Sequence, residues 1–145
     1  MSSQKIEKQA FEYFKSGYYC SEAVFRTITE DQTKNVDSSL SRLTSGLLGG
    51  MGSSHEEACG ALTGGIIALG FLYGRTNPDD EIPDLIELVM EFKKRFNEEF
   101  GTTNCGILLD QLGEQGDDYT KCRELTAKTA GILADIIDQH QKSQV

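Results

Sequence analysis

The stretch from Ser54 to Gly74 constrains the fold of this chain more than any other. Its sequence, SHEEACGALTGGIIALGFLYG, is apolar on nearly every side of a helix, and a helix of that kind lies inside a core rather than on a surface. Ser54 and Glu57 have the S-x-x-E spacing of a capping box, in which each side chain binds a backbone N–H group. We therefore predict a central buried helix that begins at Ser54.

This helix has a line of small residues, Gly60, Gly64 and Ala68, at a spacing of four. Each glycine inside a helix costs about 1 kcal/mol relative to alanine. The compensation is the close approach of a neighbour to the backbone. That neighbour is either another helix or a bulky inorganic group, and the segment alone does not decide between them.

Length and charge limit the class of protein. With 145 residues, the chain is long enough for a real core, and we predict one domain over residues 1–145. A net charge of -9 disfavours a nucleic-acid partner, which requires a basic face. The apolar run 58–74 has 17 residues, fewer than the roughly 20 that a bilayer requires. We therefore predict no membrane insertion.

The first residues, MSSQKIEKQA, lack the apolar region of a secretory signal. We therefore expect a cytoplasmic protein. Thiols stay reduced in the cytosol, so cysteines there are more often metal-binding or catalytic than joined in structural disulfides.

Apolar residues recur at helical spacing along the whole chain, and no strand pattern competes with them. The predicted fold is all-α, a compact bundle of six to seven helices around the central glycine-rich helix. The predicted helices cover about 4–15, 20–31, 40–48, 54–74, 83–100, 105–112 and 120–136, with a polar tail after them. Capping preferences predict these helix ends: Gly17, Asp37 or Ser38, Pro83, Gly101, Thr102 or Thr103, and Asp117 or Thr120.

A glycine-rich segment, 46–53, leads into the central helix. Such a turn can bind an anion on backbone N–H groups. Known nucleotide motifs also need a preceding strand and further fixed residues, which are absent here. We favour a flexible connector over a nucleotide site.

The four cysteines are Cys20, Cys59, Cys105 and Cys122, separated by 39, 46 and 17 positions. The chain therefore has no C-x-x-C pair, which excludes the thioredoxin-type motif and the c-type haem attachment. Structural zinc sites commonly take their ligands in close pairs, so such a site is disfavoured as well.

Each cysteine lies on the apolar stripe of a different predicted helix and near its beginning. All four can therefore meet in one core, where helix N-termini favour thiolates. Buried cysteines are also common as small apolar residues. A shared redox or metal site, one or two disulfides, and inert core residues all stay open at this point.

The two histidines give no catalytic arrangement. His55, in the first turn of the central helix, could contact a site near Cys59, but we interpret it as a surface residue, and we assign His140 to the polar tail. The HEEAC run lacks the second histidine of a zinc-protease motif.

Cys20, then Cys59-Gly60-Ala61-Leu62-Thr63-Gly64, then Cys105 and Cys122 resemble a family of redox-active proteins named for its C, GCAxxG, C, C pattern. The resemblance extends from Gly17 to beyond Cys122. One feature departs from the pattern, because the Gly-Cys pair of the family name stands here in reversed order as Cys59-Gly60.

The resemblance implies a helical domain whose cysteines are associated with a [2Fe-2S] cluster in relatives that carry haem segments. It implies that Cys20, Cys59, Cys105 and Cys122 are the ligands and that Gly60 and Gly64 make room for the cluster. It implies no particular reaction, and the sequence leaves open whether the protein is an enzyme.

Our first hypothesis is therefore that the four cysteines bind an iron-sulfur cluster, most simply [2Fe-2S], for electron transfer with an unidentified redox partner. Aerobic purification can remove such a cluster. The alternatives are a thiol/disulfide redox protein with cysteine pairs and a helical interaction module with inert core cysteines. A second copy of the chain is a further candidate partner.

Overall fold

The computed structural model describes residues 2–113 and 120–144. Within these ranges the chain forms six α-helices, one 3-10 helix and no strand, which confirms the all-α prediction. The elements in order are α1 (Ser3–Lys15), α2 (Cys20–Gln32), the 3-10 helix (Ser38–Leu47), α3 (Gly60–Tyr73), α4 (Pro83–Phe100), α5 (Cys105–Leu112) and α6 (Thr120–Ser143). None of the described helices is long and apolar enough to cross a membrane.

The core forms where the apolar stripes of these helices meet. The most extensive packing joins α1 to α6 and α2 to α3, and α3 also contacts α4, α6 and the 3-10 helix. The largest apolar side chains in the core are Phe25, Phe92, Phe96, Ile6, Ile28, Leu69, Leu133 and Ile137, all fully buried. The glycine-rich helix α3 is thus central, as predicted, although Ile67 and Phe71 on one of its sides reach the surface.

Several predicted helix ends are confirmed. Pro83 is the first residue of α4, and Gly101 ends that helix with a left-handed φ of 83°. The Asp37 carboxylate accepts a hydrogen bond from the Ser39 N–H group at 2.9 Å and caps the 3-10 helix. Gly17 follows α1 with φ of 118°. Short-range capping rules predict these ends because the interactions are local.

The predicted start of the central helix is wrong. Helix α3 begins at Gly60, with Cys59 as its N-cap residue. Ser54 lies in the preceding loop, where its hydroxyl donates to the Gly50 carbonyl at 2.7 Å. The physical reason is a left-handed backbone at His55 and at earlier loop residues, through which a right-handed helix cannot continue.

Two other helix boundaries differ from the predicted ones. Asn104, rather than Thr102 or Thr103, caps α5, and its side-chain oxygen accepts from the Ile107 N–H group at 3.0 Å.

The predicted polar tail is helical, because α6 continues to Ser143. His140 on this extension packs edge-on against the Tyr73 ring, with centroids 5.6 Å apart. The predicted α6 caps, Asp117 and the Thr120 side chain, lie outside the described part.

Helices α2 and α3 cross at very short range. A Cβ atom on Gly64 would lie 2.7 Å from the Ser21 Cα atom, a distance that real Cβ atoms do not adopt. On the same helix, a Cβ on Gly70 would meet nothing within 4 Å. Gly64 is therefore required for helix packing, whereas Gly70 is not.

This difference gives a matched pair of substitutions. We expect Gly64→Ala to lower the free energy of unfolding by about 1–3 kcal/mol, because the helices must move apart. Gly70→Ala should raise it by up to about 1 kcal/mol, because alanine favours helix. Urea denaturation followed by circular dichroism measures both. Equal effects of the two substitutions would contradict the close crossing.

Candidate functional site

The four cysteines line one pocket. Its volume is about 360 Å³, and its wall also includes the aromatic residues Phe14, Tyr18 and Tyr19. Each cysteine comes from the beginning of a different helix: Cys20 starts α2, Cys59 caps α3, Cys105 starts α5 and Cys122 lies in the first turn of α6. Residues that are distant in the sequence are thus neighbours because four helices begin at the same place.

The cysteines differ in exposure. Cys20, Cys59 and Cys105 are buried, and Cys122 is half-buried. All four belong to the described residues, and no disulfide joins any two of them. Among the described residues, no group of three or more histidine, cysteine, aspartate or glutamate side chains is arranged to hold a metal ion.

A left-handed turn forms part of the pocket wall. Residues 49–53 all have positive φ, between 53° and 73°. This conformation costs most L-residues roughly 1–2 kcal/mol each, and three of the five residues are glycines. The turn is closed by the His55 N–H group, which donates to the Gly49 carbonyl at 2.8 Å. The predicted flexible connector is therefore a defined turn.

The loop before α3 is bound to the beginning of α5 by backbone hydrogen bonds. The loop donates one of them, from Cys59 N–H to Thr103 O at 2.7 Å. The beginning of α5 donates two, from Cys105 N–H to Glu57 O at 2.8 Å and from Gly106 N–H to His55 O at 2.9 Å. The Asn104 side-chain amide adds a fourth, to the Glu56 carbonyl at 2.9 Å. These bonds hold Cys59 and Cys105 in fixed positions relative to each other.

Two glycines leave room for the cysteines. A Cβ on Gly60 would lie 2.5 Å from the Cys20 sulfur, and a Cβ on Gly50 would lie 2.7 Å from the Cys105 Cβ. The structure thus places the predicted Gly60 at the site, and it adds Gly50, which sequence reasoning missed. Gly64 does not line the pocket, because it faces the backbone of Ser21.

His55 also lines the pocket. Its backbone is left-handed, with φ of 62°, and the residue is half-buried. The prediction that His55 is a surface residue in the first helical turn is therefore wrong. The reason is again the left-handed turn, which the helical periodicity of the sequence does not reveal.

Burial disfavours ionisation of the three buried thiols. Burial raises the pKa of Cys59 to about 12 and that of Cys105 to about 11, and the neighbouring Cys20 adds to both shifts. Burial also raises the pKa of Cys20, although the N–H group of Gly49 opposes the shift. The expectation of thiolates is wrong here, because burial removes more hydration than the helix N–H groups replace.

The fold and the pocket define a class of protein, an all-α domain with cysteines gathered from several helix beginnings. The family model described as "Putative redox-active protein (C_GCAxxG_C_C)" matches residues 18–136. The chain therefore belongs to this family, as its cysteine pattern predicts. No curated protein and no solved structure shows significant similarity to the chain.

The raised pKa of Cys59 predicts a pH dependence of stability. Unfolding returns this thiol to a pKa of about 9, so above that pH the unfolded state releases a proton that the folded state retains. The metal-free protein should therefore lose about 1.4 kcal/mol of stability per pH unit from Cys59 between about pH 9 and 12. Below pH 9 this contribution is constant.

Comparison with Cys59→Ser separates the contribution of Cys59 titration to stability from the contributions of other titrating groups. The difference in unfolding free energy between wild type and Cys59→Ser should narrow as the pH rises from 9 to 11, because serine does not titrate there. Urea denaturation with reductant present measures it. A constant difference over this range would mean that Cys59 has an ordinary pKa.

Proposed function

We propose that this redox-active family member binds an iron-sulfur cluster, of the [2Fe-2S] kind, in its four-cysteine pocket. The observation that carries the proposal is that Cys20, Cys59, Cys105 and Cys122 line the same pocket of about 360 Å³. When bound, such a cluster supplies one-electron transfer. The redox partner is unidentified, and the cytoplasmic location remains a prediction from the sequence.

The chemistry of the pocket fits this group. Four cysteine thiolates are the usual ligands of a [2Fe-2S] cluster. Backbone N–H groups of Ala61 and Leu62 lie near the Cys59 sulfur, and that of Gly49 lies near the Cys20 sulfur. Such donors stabilise negative charge on ligating sulfur and tune the reduction potential. Metal binding itself deprotonates a coordinating thiol, so the raised pKa values are compatible with ligation.

The two alternatives have less support. Exchange between cysteine pairs requires a thiolate as the attacking group, and burial raises the pKa of Cys20, Cys59 and Cys105. Cys20 and Cys59 do pack in the hydrophobic core, as core-filling cysteines would, but all four cysteines also line one pocket.

Anaerobic purification from a host that assembles iron-sulfur clusters tests the proposal. We expect about two iron and two acid-labile sulfide ions per chain, with visible charge-transfer absorption. Colourless, iron-free protein from such a host would refute the proposal. Four permanently reduced thiols in that preparation would also exclude the disulfide alternative.

Substitutions in the pocket test the ligands. Cys59→Ser and Gly60→Ala should both lower the iron content, the first by removing a ligand and the second because its new Cβ would displace the Cys20 sulfur. Gly70→Ala is a matched control for Gly60→Ala on the same helix, since a Cβ at Gly70 meets nothing within 4 Å and the residue does not line the pocket. Iron content that is equal in all three proteins would argue against ligation at this site.

A further inference from the structure

A second region of the molecule has an unusual surface. Five large apolar side chains from the 3-10 helix, α3 and α4 are exposed on it. We name this region the α3–α4 face, and its residues are Leu43, Ile67, Phe71, Ile86 and Met90. The exposed fraction reaches 65% at Leu43 and 67% at Met90. Exposed apolar side chains that adjoin one another mark sites of interaction.

The face combines a groove with an exposed stripe on α4, which Ile86 and Met90 form. The groove has a volume of about 450 Å³, and Leu85 and Val89 of α4 form one of its walls. Ile86 and Met90 are the next residues on the same helix and extend the apolar surface outward from that wall. None of the five face residues lines the cysteine pocket, so the face and the pocket are distinct sites.

Two charged residues flank Met90 on the stripe. Glu87 and Lys94 line the same shallow surface of α4, and seven residues of helix separate them by two turns, about 10.5 Å. Neither forms an ion pair with another described residue, whereas the adjacent Glu91 is paired with Arg95 at 2.8 Å. This surface of α4 therefore presents Glu87 and Lys94, unpaired among the described residues, on either side of Met90, and Glu91, which also lines it, has its charge balanced by Arg95.

This pattern is complementary to itself. A two-fold interface brings the same patch of both copies together, so each residue must face a suitable residue of the other copy. In two antiparallel α4 helices centred near Met90, Glu87 of each copy faces Lys94 of the other. We propose that the α3–α4 face binds a second copy of this chain in that orientation. This dimer does not depend on the proposed cluster.

The two charges allow a decisive test by sedimentation velocity on the full chain. We expect wild type to be a dimer and both Glu87→Lys and Lys94→Glu to weaken association more than tenfold, because each variant places like charges opposite each other. An equimolar mixture of the two variants should restore the dimer. In the mixed dimer the two introduced side chains, of opposite charge, face each other, and the unchanged Lys94 of one chain faces the unchanged Glu87 of the other.

Two control variants reverse charges at positions outside the α3–α4 face. Lys5→Glu on α1 and Glu124→Lys on α6 make the same charge changes at exposed positions away from the face, and both should sediment as wild type does. A monomeric wild type throughout the micromolar range would overturn the proposal. So would single variants that remain dimeric, or a mixture that remains monomeric, because another occupant or another orientation would then be required.

Discussion

The cysteine pocket depends on backbone hydrogen bonds that tie the loop before α3 to the beginning of α5. Bonds from Cys59 to Thr103 and from Cys105 to Glu57 hold two of the cysteines directly, through their own N–H groups. A cysteine held by its backbone keeps its position without any bond to its sulfur. The sulfur atoms are therefore available for chemistry, while the main chain supplies the order of the site.

The close approach of backbone segments explains both how the cysteines come together and why the pKa values of their thiols are raised. The absence of side chains at Gly50 and Gly60 allows Cys105 and Cys20 to come near the other segments. The same closeness buries the thiols and raises their pKa values, so that helix N-termini do not ionise them. Under the proposed function, a bound metal centre would reverse this balance, because coordination would give the sulfur a positive charge in place of its lost hydration. On that proposal, the pocket suits ligation better than rapid thiol exchange.

The helices and the meeting of the cysteines can be predicted from the sequence, because both follow from local patterns of residues. Apolar periodicity predicts the helices, and the position of each cysteine near a helix beginning predicts that they can meet. The start of α3 was predicted wrongly, since the Ser54 and Glu57 spacing fits a capping box that the left-handed turn precludes. Sequence patterns do not predict the role of Gly50, because it depends on contact with Cys105, which is distant in the sequence. The Asn104 cap is a local bond, but Thr102, Thr103 and Asn104 are adjacent residues that can all cap a helix, and capping preference alone does not choose among them.

Anomalous diffraction at the iron absorption edge, from crystals grown anaerobically, would locate the metal in the cysteine pocket. We expect two iron peaks inside the pocket, with Cys20, Cys59, Cys105 and Cys122 as their four protein ligands. A pocket without iron in crystals of protein made by a cluster-assembling host, with four unmodified thiols around it, would contradict cluster binding.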